Sequence, residues 1–371
     1  MSSEEKLYSL ALRHCPLIGD IIFRKLVAEV GSAKEVWELS KSGLNNIVGI
    51  GHKISREIGN PEHLKFAEKE LNFCEKNHIK INIRHLGDLP KLLHECDDAP
   101  AILYQKGDFK TELNAVSIVG TRNSSSYGKH FIHDFLEAVQ QEKMQTVSGL
   151  ALGVDTEVHE KSLHFKIPTV AILAHGFHTL YPQKNRKLSE KILAEGGVLF
   201  TEFNSTQKPD RENFIQRNRI IAGLSRATIV VETAFGGGSI STATFAVNYN
   251  RDVFALPGKI TDKYSQGCNQ LIFQNKAAAI STIASLVEQI GFKKKQAKTG
   301  ELFPSAEIKI KLPDHQQTIL NSLNTENPLS LDELAEKLEI PTYKILPDLL
   351  QLELLGLVKA LSGRQYLSLL S

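Results

Sequence analysis

The sequence predicts an α/β protein: a Rossmann-like doubly wound parallel sheet, with a helical N-terminal domain and a C-terminal winged-helix domain. Three observations carry this expectation. From Ala115 onward, apolar runs of four to seven residues alternate with amphipathic helical segments, and continuous apolar strands separated by helices mark a parallel sheet covered on both faces. Ahead of them, strand signals are nearly absent and apolar residues recur at helical spacing. Beyond them, three helical segments precede two short strand-like runs, the order of a winged helix.

Taken in order, residues 1–78 read as short helices, with Leu7, Leu10 and Ala11, then Ile22, Leu26, Val27 and Val30, on helical faces. The turns Pro16-Leu17-Ile18-Gly19 and Val48-Gly49-Ile50-Gly51 resemble a helix-hairpin-helix pair. Each precedes basic residues, Arg24 and Lys25 or Lys53 and Arg56. Backbone N–H groups at such turns can meet DNA phosphates, and pure helix packing is the alternative. Residues 79–290 form the sheet domain. It begins with a transition, Ile79 to Gly107, broken by Pro90 and Pro100, and continues as AVSIVG, QTVSG, PTVAILA, GVLFTEF, ATIVVET, DVFALPG and AAAIS. Its ligands should bind beyond the strands' C-terminal ends. Residues 291–308, which begin GFKKKQAKTGELFPSAE, read as an exposed linker.

Residues 309–371 supply helices QQTILNSL, LDELAEKL and TYKILPDLLQLELLG, the last interrupted by Pro347, then two strands around a Ser362-Gly363 turn. From Ser305 on there are six basic residues against nine acidic ones. A negative module repels phosphates, so this domain is not expected to be a main DNA reader.

Composition bounds the function. At 371 residues the chain holds two or three domains at about 100–200 residues each. Its 42% apolar and 23% charged residues exclude a low-complexity chain. No apolar run approaches the roughly 18 residues a membrane span needs, so no membrane partner is expected. The start, MSSEEKLYSLALRHCP, places acids where a signal peptide carries basic residues, which leads us to expect a cytoplasmic protein. Cys15, Cys74, Cys96 and Cys268 form no C-x-x-C pair and read as reduced, space-filling residues. A net charge of +2 announces no polyanion partner, so any nucleic-acid case rests on local clusters.

Such clusters exist. Three strand-end loops are rich in small residues: Gly120-Thr121-Arg122, Ser148-Gly149-Leu150-Ala151 and Gly236-Gly237-Gly238-Ser239 before a helix. Glycines let backbone N–H groups approach an anion, and a helix N-terminus adds positive potential. Together the loops describe a phosphate cradle. Between them, PDRENFIQRNRIIAGLSRA and the residue just before it crowd Lys208, Arg211, Arg217, Arg219 and Arg226 around Phe214. Guanidinium groups hold phosphates and an aromatic stacks on a base, a pairing that favours single-stranded nucleic acid. Arg217 and Arg219 are two apart on a helix and cannot share a face, so at least one should serve structure.

Other motifs are weaker. GTRNSSSYGKH has seven residues between Gly120 and Gly128 where a P-loop has four, and His130 stands where magnesium needs Ser or Thr. No G-x-G-x-x-G follows the first strand, so no dinucleotide is expected. His130 with His133, and His175 with His178, lack a carboxylate or cysteine set, and we expect no metal and no cofactor. Asp155 and His159, at i and i+4, read as an acid/base pair or as a helix cap.

Six segments in order, VGTR (119–122), SGLALGVD (148–155), YPQKN (181–185), RNRIIAGLS (217–225), VVETAFGGGSISTA (230–243) and VFALPG (253–258), make the chain resemble the DNA-processing protein A (DprA/Smf) family. The resemblance implies a homodimeric, non-enzymatic single-stranded DNA-binding protein. Such a protein protects incoming DNA and helps load RecA recombinase in natural transformation and recombination. It further implies a phosphate pocket using Arg122, Arg211, Phe214 and Lys184, with Gly120, Gly149, Arg217, Asn218, Arg219 and the Gly236–Ser239 loop around it. AHGFHTLYP departs from the family pattern, with His175 and His178 where small and acidic residues are more usual. Arg211 stands where Lys is common. The alternative is a nucleotide-hydrolysing enzyme of the lysine-decarboxylase-like Rossmann fold, which needs a carboxylate soon after its glycine loop. SISTATFAVNYN supplies none.

Overall fold

A computed structural model of the chain describes residues 2–292, 312–324, 328–361 and 364–369. The chain divides into two compact units, Met1–Lys295 and Gln296–Ser371.

The first unit is organised by a nine-stranded sheet: β1 (Lys80–Ile83), β2 (Ile102–Gly107), β3 (Asn114–Val119), β4 (Met144–Ser148), β5 (Thr169–Ile172), β6 (Val198–Thr201), β7 (Ala227–Val230), β8 (Asp252–Ala255) and β9 (Ala278–Ala279), in spatial order β1-β2-β6-β5-β4-β3-β7-β8-β9. Strands β3 to β9 are the seven apolar runs, and they are mutually parallel. Their side chains alternate between two buried faces: in β3, Ala115 and Val119 enter one apolar cluster while Val116 and Ile118 enter another. Helices close both clusters. Ser126–Val139 contributes Phe131, Phe135 and Leu136 on one side, and Arg211–Gly223 and Gly238–Asn248 contribute Ile220, Ile221, Ala243 and Ala246 on the other. Parallel strands covered twice therefore read as unbroken apolar runs.

The chain winds from β3 outward to β6, then returns to lay β7 on the other side of β3. This reversal opens a crevice at the C-terminal ends of β3 and β7, where a doubly wound sheet binds its ligand.

The transition after Ile79 holds two strands the sequence did not reveal. β1 and β2 pair antiparallel with each other, and β2 pairs antiparallel with β6. Pro90 and Pro100 lie between the strands, where they interrupt no ladder. Six N-terminal helices between Ser2 and Lys76 pack on this edge, and one cluster joins Phe23, Leu26 and Val36 to Ile81, Ile83 and Ile102. At the two hairpin-like turns, Gly19 and Gly51 cap the helices Asp20–Val30 and His52–Glu57. All four cysteines are free and buried.

A buried charge network fastens the N-terminal helices to the sheet. Arg219 donates to Asp20 Oδ2 at 3.1 Å, to Glu202 Oε2 and to the Asp98 carbonyl. Asp20 also accepts from the Ala101 N–H at 3.0 Å. Burial pushes the Glu202 carboxyl up to about 7, and Arg219 only partly opposes it. A carboxyl whose pKa rises on folding adds stability that is complete below its unfolded value and is lost as pH climbs through the folded one. The unfolding free energy of the wild type minus that of Glu202→Gln should therefore fall by roughly 3 kcal/mol from pH 4 to pH 8. A difference that is flat with pH would contradict this assignment.

In the second unit, helices Asp314–Ser322, Leu331–Leu338 and Thr342–Leu354 pack Ile319, Leu334, Ile345, Leu349 and Leu352 against Val358 and Tyr366. Strands β10 (Leu329–Ser330), β11 (Val358–Leu361) and β12 (Gln365–Ser368) form an antiparallel sheet in the order β10-β12-β11. This is a winged helix. The two-residue β10 escaped the sequence reading because it leads directly into the capping box of Ser330 and Glu333. Pro347 lies on the exposed face of its helix. Ser362 and Gly363, and the linker from residue 293 on, fall outside the described residues. Among the described residues no helix is long and apolar enough to cross a membrane.

Candidate nucleic-acid interface

The crevice at the end of β3 and β7 is a cavity of about 350 Å³. Its walls come from the loops after β3, β4 and β7 and from one face of the Arg211–Gly223 helix.

The loop after β3 is held from below. The Thr121 N–H donates to the Glu232 carbonyl at 2.6 Å, and the Ser125 N–H donates to the Glu232 carboxylate at 2.8 Å. The loop after β4 lies directly against it. Gly153 has φ +79°, and a Cβ there would stand 2.4 Å from the Thr121 carbonyl oxygen, so the approach requires glycine. Asn185 secures the same loop, its side-chain amide donating to Leu150 O at 2.8 Å and Ala151 O at 3.3 Å. Farther back, His175 accepts the Tyr181 N–H on Nε2 at 3.1 Å while its Nδ1 faces Gly176 O at 2.9 Å. That pattern fixes the Nδ1–H tautomer. His175 is thus a buried brace for the Tyr181 turn.

The Arg211–Gly223 helix starts at Asp210, whose carboxylate caps the Glu212 N–H. It is docked by Ser117, which donates to Ile221 O at 2.7 Å. Arg217 lies beneath the cavity, buried, with Nη1 donating to Gly149 O at 2.7 Å and also to Ile172 O. A Cβ on Gly149 would fall 2.4 Å from that nitrogen. Burial lowers the Arg217 pKa to about 10, against the attraction of Asp155, so it stays charged at neutral pH. Asp155 is pushed upward by burial, opposed by Arg217, and accepts the Ala151 N–H at 3.2 Å.

Phe214 is half-buried and belongs to none of the apolar clusters. The guanidinium carbons of Arg122 and Arg217 lie 5.2 Å and 5.8 Å from its ring centroid, and the Tyr181 ring meets it edge-on at 5.9 Å. Two cations and a half-exposed aromatic ring thus share one wall.

The opposite wall is the start of the Gly238–Asn248 helix, capped by Gly237. Asn218 ties the walls together, donating to Gly238 O at 3.2 Å and Ser241 Oγ at 2.9 Å. Ser239 Oγ is buried without a hydrogen-bond partner among the described residues. The N-terminal end of this eleven-residue helix, Gly238 and Ser239, lines the cavity with Arg122 and Arg217, and helix N-termini beside guanidinium groups favour anions.

Of the residues expected here, Gly120, Arg122, Phe214, Arg217, Asn218, Gly237, Gly238 and Ser239 line the cavity. Gly149 supports it through Arg217. Gly236 is exposed at the loop tip with φ +68°. Arg211 is exposed on the helix turn before Phe214, outside the lining. Two expectations require correction. Arg219 faces the opposite way, into its network with Asp20 and Glu202, as its two-residue offset from Arg217 dictates. Lys184 lines a different hollow.

Asp155 and His159 make no acid/base pair. His159 is fully buried with Nδ1 2.7 Å from Thr169 Oγ1, and burial lowers its pKa to about 3, so it is neutral. The carboxylates we did not expect near a histidine are present at His133, where Asp134 and Glu137 place their oxygens within 4.8 Å, in an exposed cluster. Glu232 and Asn185 are the supports that sequence reasoning missed as such, although both fall inside quoted segments.

Comparison with known proteins finds matches over both units. The model of the DNA recombination-mediator protein A family matches residues 80–291, and that of the DprA winged helix domain matches residues 304–364. Protein Smf of Synechocystis sp. is 31% identical over 402 residues, spanning 99% of both chains. Protein Smf of Escherichia coli is 32% identical over 308 residues, 81% of this chain and 80% of that one. DNA processing protein A from Streptococcus pneumoniae superposes with a TM-score of 0.65 at 28% identity, over 77% of this chain and 99% of that chain. The protein of the same name from Helicobacter pylori, described for its unique single-stranded DNA binding mode, gives a TM-score of 0.52 at 27% identity, over 57% of this chain and 95% of that one.

Proposed function

The chain belongs to the DNA recombination-mediator protein A family, and from that premise we propose that its switch-point cavity binds single-stranded DNA. The observation that carries this reading is Phe214, offered at the cavity wall between two guanidinium groups and opposite a helix N-terminus. A base stacks on the ring while phosphates meet Arg122, Arg211 and the N–H groups of the glycine loop. Arg217 is committed to backbone carbonyls and acts as a fixed positive floor. Strand recognition through phosphate and ring faces is indifferent to sequence, as a protein that handles incoming DNA requires.

On the same reading the protein serves natural transformation and recombination. It works as a cytoplasmic homodimer that protects the incoming strand, helps load RecA recombinase and carries out no catalysis of its own. Two cavities on one strand raise avidity through effective concentration.

Fluorescence anisotropy with labelled oligothymidine, competed by unlabelled single strand and by duplex, tests the reading. Single strand should displace the probe at far lower concentration than duplex. In parallel, nucleoside monophosphates are incubated with the protein and free base is measured. Base release without strand binding would replace this reading with nucleotide hydrolysis, with Asp155 as the carboxylate in the cavity.

A further inference from the structure

The hollow that holds Lys184 has no place in the function proposed so far. It measures about 530 Å³ and lies between the helices Val154–His164 and Arg186–Ala194. Lys161, Lys184, Lys187 and Lys191 line it, against Glu157 and Glu160. The spacing of Lys184, Lys187 and Lys191, three then four residues, sets their ammonium groups along one side of the 183–194 segment. Like charges so spaced repel one another and weaken a helix. Glu157 approaches Lys161 at 3.9 Å, while Lys184, Lys187 and Lys191 form no ion pair among the described residues. On the same helix, Arg186 turns instead to Glu190 at 3.2 Å. The hollow therefore carries a net positive charge, four lysines against two glutamates.

Its position relates it to the cavity. Asn185 lines the hollow, and its amide holds the carbonyls of Leu150 and Ala151, the latter lining the cavity. The two depressions back onto one loop. They differ in chemistry, however: the cavity has a ring, a buried guanidinium and a helix N-terminus, whereas the cations of the hollow are lysines, most of them exposed on flexible stems, facing two glutamates. Compact, mobile ammonium groups with no rigid donor suit a polyanion held by charge alone, and not a small phosphate ester held in one pose.

We propose that this lysine hollow carries the sugar-phosphate backbone of the strand whose base sits on Phe214, extending the binding path past the Gly149–Gly153 loop. The proposal rests on the cavity being the primary single-strand site. Its test compares Lys187→Gln/Lys191→Gln with the wild type in the full-length protein. Both are titrated with a labelled oligothymidine of about four nucleotides and one of about fifteen, across a series of salt concentrations. Each phosphate contact contributes about −0.7 to the slope of log K against log salt on a single strand. The double variant should flatten the slope by about 1.4 on the long oligonucleotide and leave the short one unchanged. Equal flattening on both lengths, or none on the long one while the wild type binds it normally, overturns the extension and leaves the cavity intact. If the wild type binds neither length, the primary reading fails with it.

Discussion

Arg219→Ala is expected to lower the unfolding free energy by about 3–5 kcal/mol while leaving the single-strand affinity of the folded protein unchanged. Removing one partner of a buried ionic network strands the others without water, and that penalty exceeds what the intact network contributes. Here the stranded groups are Asp20 on an N-terminal helix and Glu202 just after β6, together with the Asp98 carbonyl. The loss should be smaller at pH 5, where Glu202 is protonated in the fold, than at pH 8. Adding Glu202→Gln to Arg219→Ala should restore part of it. Urea unfolding at the two pH values measures each of these. A loss below about 1 kcal/mol, or a folded variant that no longer binds DNA, would return Arg219 to the binding site.

Phe214→Ala is the second large effect, in the opposite category. The ring lies outside the apolar clusters, so its removal should leave the melting temperature within a few degrees of the wild type. The affinity for oligothymidine should fall by about 1–3 kcal/mol, roughly fivefold to 150-fold. Because no charge is lost, the salt slope should not move. A core residue would behave otherwise: a fully buried Phe costs about 3–5 kcal/mol of stability on truncation. Early melting with normal binding would place Phe214 in the core and leave the cavity without its stacking surface.

The legibility of this molecule in its sequence varied with the physics. The parallel strands were readable because burial on both faces writes an unbroken apolar run into β3 through β8. β1 and β2 were not, since KINI and ILYQKG carry polar residues at a sheet edge and stand among proline-broken pieces. The three loops of the cavity were legible because the close approach of backbones, as at Gly153, admits only glycine. Arg217 and Arg219 could be separated in kind by helical periodicity, yet which of them faced the cavity depended on how the helix docks through Ser117. Lys184 stood next to Asn185 in a segment that does support the cavity, and only the fold reveals that Asn185 reaches the Leu150 and Ala151 carbonyls while Lys184 lies outside the cavity lining. Glu232 and Asn185 are braces whose partners lie 107 and 35 residues away, and no local pattern encodes such distances.

The central claim is that phosphates of a single strand bind in the switch-point cavity. The most direct measurement is the salt dependence of oligothymidine affinity for the wild type and for Arg122→Ala. Arg122 is exposed, lines the cavity and forms no ion pair among the described residues, so its loss should not disturb the fold. The account predicts weaker binding and a log–log slope flatter by about 0.7, one phosphate contact. An Arg122→Ala protein with the wild-type affinity and slope would contradict it.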